Sequence, residues 1–296
     1  MGGMVAAVLL SSRTLAPLAQ IANLFGRANN AKTSYKRLAS FMEETQEDDV
    51  SEKNLNAIRR EKLGSLEFKD TTYRYPEADL DTLRSINLKI NEGEKVAILG
   101  RNGSGKSTLM KLASGLFKAS DGLVMFDGVD IRQLHTDDLS RSIGIVLQDV
   151  QLFSGTIRDN ILMGRLDISQ DDLVNAGKLS GLDEFVSKIP GGYDLRLSDG
   201  GKGLSGGQRQ SIALARAIVH KPSHFILDEP TSAMDMNAEN LFINQVGSVL
   251  KDSTMLIVTH RMPLLNLVDR IIVMNEGQIV EDGPKDEIIN KLNQPR

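Results

Sequence analysis

The spacing of apolar residues changes character near residue 63. Before it, Leu15, Leu18, Ala22 and Phe25, then Tyr35, Leu38 and Met42, recur at three- and four-residue intervals, the period of a helix with one apolar stripe. Beyond it, short alternating or continuous apolar runs stand between Gly and Asp turns. They predict strands over 65–68, 86–90, 95–99, 123–126, 143–147, 224–227, 255–258 and 270–274. Several alternate with helical patterns, so the expected fold class is α/β with a partly parallel, mixed sheet. From Leu152 to about Ala217 strand signals are lacking, and they resume only at His224, so an inserted helical subdomain is expected over about 149–215.

Residues 1–12 are uncharged; after Arg13 a second uncharged stretch runs over 14–26, broken by Pro17, Gln20 and Asn23. Twelve helical residues rise about 18 Å against a hydrocarbon core of about 30 Å, and an Arg at mid-bilayer is costly. The stretch 1–45 is therefore read as the end of a transmembrane helix with its cytoplasmic extension. Arg27, Lys32, Lys36 and Arg37 suit a cytoplasmic membrane surface. An amphipathic helix packed on the soluble domain or on a partner fits the same periodicity. No basic stretch precedes the apolar residues and no small-residue cleavage pattern follows them, which argues against a secretory signal. Residues 46–62, charged and poor in apolar side chains, read as a linker to a domain over 63–296.

At 296 residues and 41% hydrophobic, the chain can bury one large core or two smaller ones. Lys and Arg number 35 against 39 Asp and Glu, a net charge of −4 that gives no reason to expect a nucleic-acid partner. Cysteine is absent, which excludes disulfides and thiolate metal sites and agrees with a reducing compartment.

The chemistry concentrates in four places. GRNGSGKS, 100–107, lies between an apolar strand and a helix candidate, the context a phosphate loop requires. Gly100, Gly103 and Gly105 let backbone N–H groups converge on oxygens at a helix N-terminus. Lys106 adds a point charge for the β- and γ-phosphates, and the Ser107 hydroxyl suits Mg²⁺. HFILDEP, 224–230, ends a short strand in two carboxylates: Asp228 is placed to hold Mg²⁺ and Glu229 to orient or deprotonate the attacking water. Taken alone, an Asp-Glu-Pro is a solvated turn; the upstream loop favours the catalytic reading. Gln148 and His260 each follow a candidate strand, the first able to touch Mg²⁺ and the lytic water, the second to donate to the γ-phosphate. Tyr75 could stack on adenine, although an aromatic near a strand more commonly packs. The fourth place is LSGGQ, 204–208. With the phosphate loop it implies a nucleotide gripped by two surfaces, which one compact domain has difficulty presenting to one ligand, so a head-to-tail pair is expected.

These motifs resemble those of the ATP-binding cassette family over about 63–293. The resemblance implies a P-loop ATPase core using ATP and Mg²⁺, in which GRNGSGKS is the Walker A loop, with Asn102, Ser104 and Thr108 among its ATP contacts. It makes Gln148 the Q-loop residue, also a metal contact, HFILDEP the Walker B strand, Asp235 part of the D-loop and His260 the switch histidine. Tyr75 becomes the adenine-stacking aromatic, and Ser205, Gly207 and Gln208 contact ATP held by a second copy. The N-terminal stretch is similar to that of exporter half-transporters, most of all protein exporters of type I secretion systems, and TIRDNI resembles the surface that meets a membrane domain. Expected partners are therefore a second cassette, an exporter's transmembrane domain and, in type I secretion, a periplasmic adaptor and outer-membrane channel, at the cytoplasmic face of the bacterial inner membrane. The pattern departs at Asp199, where exporters commonly carry Glu, at Ser211, where they carry a basic residue, and at His224, which replaces an apolar residue. Two rival expectations are a soluble mechanical ATPase of the superfamily acting on nucleic acid or ribosomes, and a truncated fragment that binds ATP and docks on an intact partner without transport.

Overall fold

A computed structural model describes residues 2–43, 57–76, 78–234, 236–250 and 253–293. The chain divides into two compact units, Met1–Leu55 and Asn56–Arg296. In the first, Gly2–Glu43 form one 42-residue helix that runs through Pro17, about 63 Å at 1.5 Å per residue. Among the described residues no helix is long and apolar enough to cross a membrane.

Among the described residues the second unit holds twelve strands: β1 (Leu66–Tyr73), β2 (Leu83–Ile90), β3 (Lys95–Gly100), β4 (Asp121–Phe126), β5 (Val129–Asp130), β6 (Ile143–Val146), β7 (Gly155–Thr156), β8 (Arg196–Leu197), β9 (His224–Asp228), β10 (Thr254–Val258), β11 (Arg270–Asn275) and β12 (Gln278–Pro284). A six-stranded sheet runs β12-β11-β3-β10-β9-β6, parallel except for β12. An antiparallel sheet runs β2-β1-β4-β5, and β7 pairs with β8. All eight expected strands are present; β5, β7, β8 and β12 were not expected.

The central strands are buried on both faces, and their alternation sends side chains into two cores. Ala97, Phe225, Leu227, Met255 and Ile257 join the core that contains the helix Gly206–Ile218. Val96, Ile98, Ile226, Leu256 and Val258 join the core shared with the antiparallel sheet and the helix Lys106–Ala113. The region of the expected helical subdomain contains helices Ile157–Leu162, Gln170–Leu179, Asp183–Val186 and Gly206–Ile218, and also the β7-β8 ribbon. Gly144 in β6 lets Gly206–Ile218 pack closely, since a Cβ there would fall 2.9 Å from Pro222 Cγ and against the Ala217 carbonyl.

The linker expected to reach residue 62 ends earlier. Ile58 bridges to Leu134, with its N–H donating to the Gln133 carbonyl at 2.9 Å, and Asp138 takes the Arg59 guanidinium and the Arg60 N–H. Leu63 is buried. Residues 46–56, the rest of that stretch, lie outside the described residues, as do 44 and 45 before it.

His224 opens β9 inside the core, its ring edge-on to Phe126 at 5.1 Å and its Nδ1 3.1 Å from the Ser223 hydroxyl. Burial pushes its pKa from 6.5 down to about 4, partly offset by the Gly64 backbone and the Asp127 carboxylate. In the unfolded chain this ring takes a proton below about pH 6.5; in the folded chain it resists until about pH 4. Stability from this residue is thus complete above pH 6.5 and declines as pH falls toward 4, by up to about 3 kcal/mol. Urea unfolding at pH 7.5 and 5.0 should show His224→Leu losing less stability on acidification than the wild type. Equal losses in the two proteins would contradict this assignment.

Candidate functional site

The loop after β3 carries the first half of the site. Gly105, at φ 99°, caps the helix Lys106–Ala113, and a Cβ there would lie 2.6 Å from Leu83 Cδ2, so both conformation and packing demand glycine. Lys106 folds back over the loop, Nζ donating to the Gly100 and Arg101 carbonyls at 2.9 Å each. Desolvation lowers its pKa, while the Glu229 and Asp228 carboxylates pull it back up. Asn102 and Gly103 are exposed on the loop, whereas Ser104 is buried. Tyr75 packs edge-on against Tyr73 and Phe117, centroids 5.1 and 5.7 Å away, and its hydroxyl meets Thr108 Oγ1 at 3.1 Å. The structure thus joins Tyr75 to the helix that follows the phosphate loop.

The parallel pairing of β3, β10, β9 and β6 brings their C-terminal ends together, where open α/β sheets collect ligand-binding groups. Asp228 ends β9 in the buried sheet and hydrogen-bonds to Ser107; desolvation raises its pKa, the neighbouring Glu229 adds to that, and Ser107 and Lys106 oppose it. Glu229 sits at φ 48°, a conformation costly for a residue with a side chain, and its N–H donates to the Val258 carbonyl at 2.9 Å. Its carboxylate lies between two groups from neighbouring strand ends: Gln148 Nε2 at 3.5 Å from Oε2 and His260 Nε2 at 3.5 Å from Oε1. Gln148, Glu229 and His260, which the sequence placed beyond three separate strands, therefore meet at the C-terminal ends of the parallel sheet. The oxygen donors Ser107 and Asp228 fit a hard divalent cation, which would also offset the burial of the Asp228 charge.

The second half lies elsewhere. Ser205 caps the helix Gly206–Ile218 through a reciprocal box: the Gln208 N–H donates to Ser205 Oγ at 3.2 Å, and the Ser205 N–H donates to Gln208 Oε1 at 2.8 Å. The Ser-x-x-Gln spacing carries that signal in the sequence, and it gives Gln208 a local structural task. Ser205, Gly206 and Gly207 line a cleft of about 800 Å³ that has none of residues 100–108 in its wall. Ser211 also lines it, whereas Asp199 is exposed in a 3-10 turn. Gly206 is required by packing, since a Cβ would come within 2.8 Å of Ala233 Cβ. At Gly207 a Cβ would meet open space. Asp235 lies outside the described residues.

Sequence reading missed Thr231, Glu239 and Arg261. Their side chains form a hydrogen-bonded chain behind Glu229 and His260, buried at Thr231 and Glu239 and part-exposed at Arg261, and nothing in their spacing announces it.

Fold and loop together define a P-loop nucleotide-binding domain. The sequence profile of the ABC transporter family matches residues 83–232, and the chain belongs to that family. It is 37% identical over 288 residues to the cyclolysin secretion/processing ATP-binding protein of Bordetella pertussis, covering 97% of this chain and 40% of the relative. It is also 37% identical over 293 residues to the toxin RTX-I translocation ATP-binding protein of Actinobacillus pleuropneumoniae, covering 99% of this chain and 41% of the relative. The chain thus spans about 40% of the length of these relatives. The solved structure of a bacterial Atm1-family ABC exporter with ATP bound superposes with a TM-score of 0.75 at 30% identity, over 81% of this chain and 42% of that one.

Proposed function

We propose that this chain binds and hydrolyses ATP in a cleft shared by two copies, and that hydrolysis powers export of a protein or peptide through a membrane domain. The observation that carries the ATPase reading is the Glu229 carboxylate held between Gln148 and His260, beside the loop that Lys106 closes. Lys106 and the N–H groups from Gly100 to Thr108, with the Asn102 and Ser104 side chains, grip the phosphates, and Tyr75 flanks the adenine. Ser107, Asp228 and Gln148 hold Mg²⁺, which neutralises charge on the phosphates when bound. Glu229 takes the proton of the attacking water while His260 donates to the γ-phosphate.

Gly207 supports the shared cleft. Within the chain a Cβ at this position would meet open space, so the bare backbone in the first turn of the helix is open to approach by a γ-phosphate held on the other copy. Ser205, Gly207, Gln208 and Asp235 then serve the nucleotide of that other copy. The secretion and translocation roles in the relatives' names support a protein or peptide cargo. In this reading residues 1–45 connect to the membrane domain, the stretch from 46 to about 57 links, the remainder to 296 forms the cassette with a helical subdomain over about 149–215, and the assembly works at the cytoplasmic face of the bacterial inner membrane. An adaptor and an outer-membrane channel complete it if the route is type I secretion.

Phosphate release from ATP by the purified chain tests the enzymatic core. Turnover that stops with EDTA and rises per molecule with protein concentration is expected. Phosphate release no faster than that of Glu229→Gln, or indifferent to EDTA, would sink it.

A further inference from the structure

Glu229 and His260 come from different strands, yet their facing atoms lie 3.5 Å apart. Their approach is fixed from behind. The Thr231 hydroxyl, two residues after Glu229, donates to Glu239 Oε1 at 2.8 Å. The other oxygen of the same carboxylate takes Arg261 Nη1 at 3.0 Å, and Arg261 is the residue after His260. The path Glu229, Thr231, Glu239, Arg261, His260 and back to Glu229 is thus a closed ring of covalent and polar links. Thr231 is 1% exposed and Glu239 5%, while the Arg261 side chain reaches in from a part-exposed position with 37% of its surface accessible, so the ring is anchored on its Thr231–Glu239 side. The Arg261 N–H is tied to Thr259 Oγ1 at 3.0 Å, and its Nη2 reaches the Ser232 and Met234 carbonyls at 3.4 and 3.5 Å. From the other side Gln210 Nε2, on the helix that Ser205 caps, meets Ser232 Oγ at 3.4 Å.

We propose that Arg261 and Glu239, with Thr231, are positioning residues. They hold His260 against Glu229 and anchor residues 231–234 to the same frame, so that the base, the γ-phosphate donor and the segment leading to Asp235 keep one registration. None of the three touches the reacting atoms. A Glu-Arg pair with one partner buried and the other part-exposed contributes little to stability, because desolvation of the carboxylate and solvent screening of the guanidinium offset much of the attraction, whereas a fixed geometry is what such a pair is suited to provide. The catalytic arm of this inference rests on the ATPase reading; its geometric arm does not.

Two readouts separate positioning from bulk stability. In histidine-labelled protein without nucleotide, Arg261→Met should move the NMR ring resonances of His260 and leave those of His135 in place. Unchanged His260 resonances would overturn the proposal even if the chain proved to have no ATPase activity. In the assay, ATP-binding stoichiometry counts folded sites. Arg261→Met and the near-isosteric Thr231→Val should bind ATP with wild-type stoichiometry and KM while turnover per occupied site falls about ten- to hundredfold, the cost of a small misplacement. Arg261→Lys, which keeps the charge, should recover part of that loss. Wild-type turnover per occupied site in both Arg261→Met and Thr231→Val would overturn the proposal. Should Arg261→Met fail to fold, Thr231→Val carries both measurements.

Discussion

Glu229→Gln should bind ATP as the wild type does and release phosphate about a hundred- to ten-thousandfold more slowly, the range expected for removing a general base. The amide is almost isosteric with the carboxylate and can keep its neighbours Gln148 and His260, each 3.5 Å away. The strained backbone at φ 48° and the N–H bond to Val258 are also untouched. What disappears is the ability to take a proton from water at a point facing the phosphate loop. Because bound ATP would then persist, the variant should accumulate as a nucleotide-loaded pair, visible as doubled mass on size exclusion with MgATP. A rate within threefold of wild type would mean that another group deprotonates the water and that Glu229 is merely a strand-end carboxylate.

Lys106→Ala should act one step earlier. The ammonium is buried against Gly100 and Arg101 carbonyls and close to two carboxylates, so it is already desolvated and oriented where phosphate oxygens would arrive. Charge-assisted hydrogen bonds of this kind contribute about 1.5–3 kcal/mol, which predicts ATP binding about ten- to a hundredfold weaker by equilibrium dialysis. Folding should change little, since the variant also sheds the cost of burying the charge. Wild-type affinity in Lys106→Ala would place the triphosphate elsewhere.

The two variants separate binding from chemistry, and the residues behind both were legible in the sequence for a physical reason. A phosphate loop must be Gly-rich and must stand between strand and helix, so chemistry and periodicity point to the same positions. The eight apolar strands were legible on the same ground. β12 was not, because Gln278–Pro284 is an edge strand whose side chains are mostly exposed and follow no two-residue alternation. Nor could the chain show that β1, β2 and β4 leave the parallel sheet for one of their own, a matter of non-local pairing. The Ser205–Gln208 cap was written in the spacing and passed over, since the same residues already had a ligand-binding interpretation. The ring through Thr231, Glu239 and Arg261 had no signal at all: its members stand 8 and 22 residues apart and meet only because β9 and β10 pair side by side. His224 shows the reverse case, an anomaly plain in the sequence whose meaning, a neutral ring inside the core, depends on burial.

The shared cleft is tested most directly by mixing two impaired variants, Lys106→Ala and Ser205→Arg, at an ATP concentration that fills the wild-type site but leaves Lys106→Ala largely empty. The first spoils the phosphate loop and the second the surface offered to the other copy. If each cleft draws its loop from one chain and its Ser205 from the other, a mixed pair contains one doubly damaged cleft and one intact cleft. Half the pairs in an equal mixture are mixed, so ATP turnover should recover to about a quarter of the wild-type rate. Turnover no higher than the mean of the two variants alone would show that loop and signature do not meet across two chains.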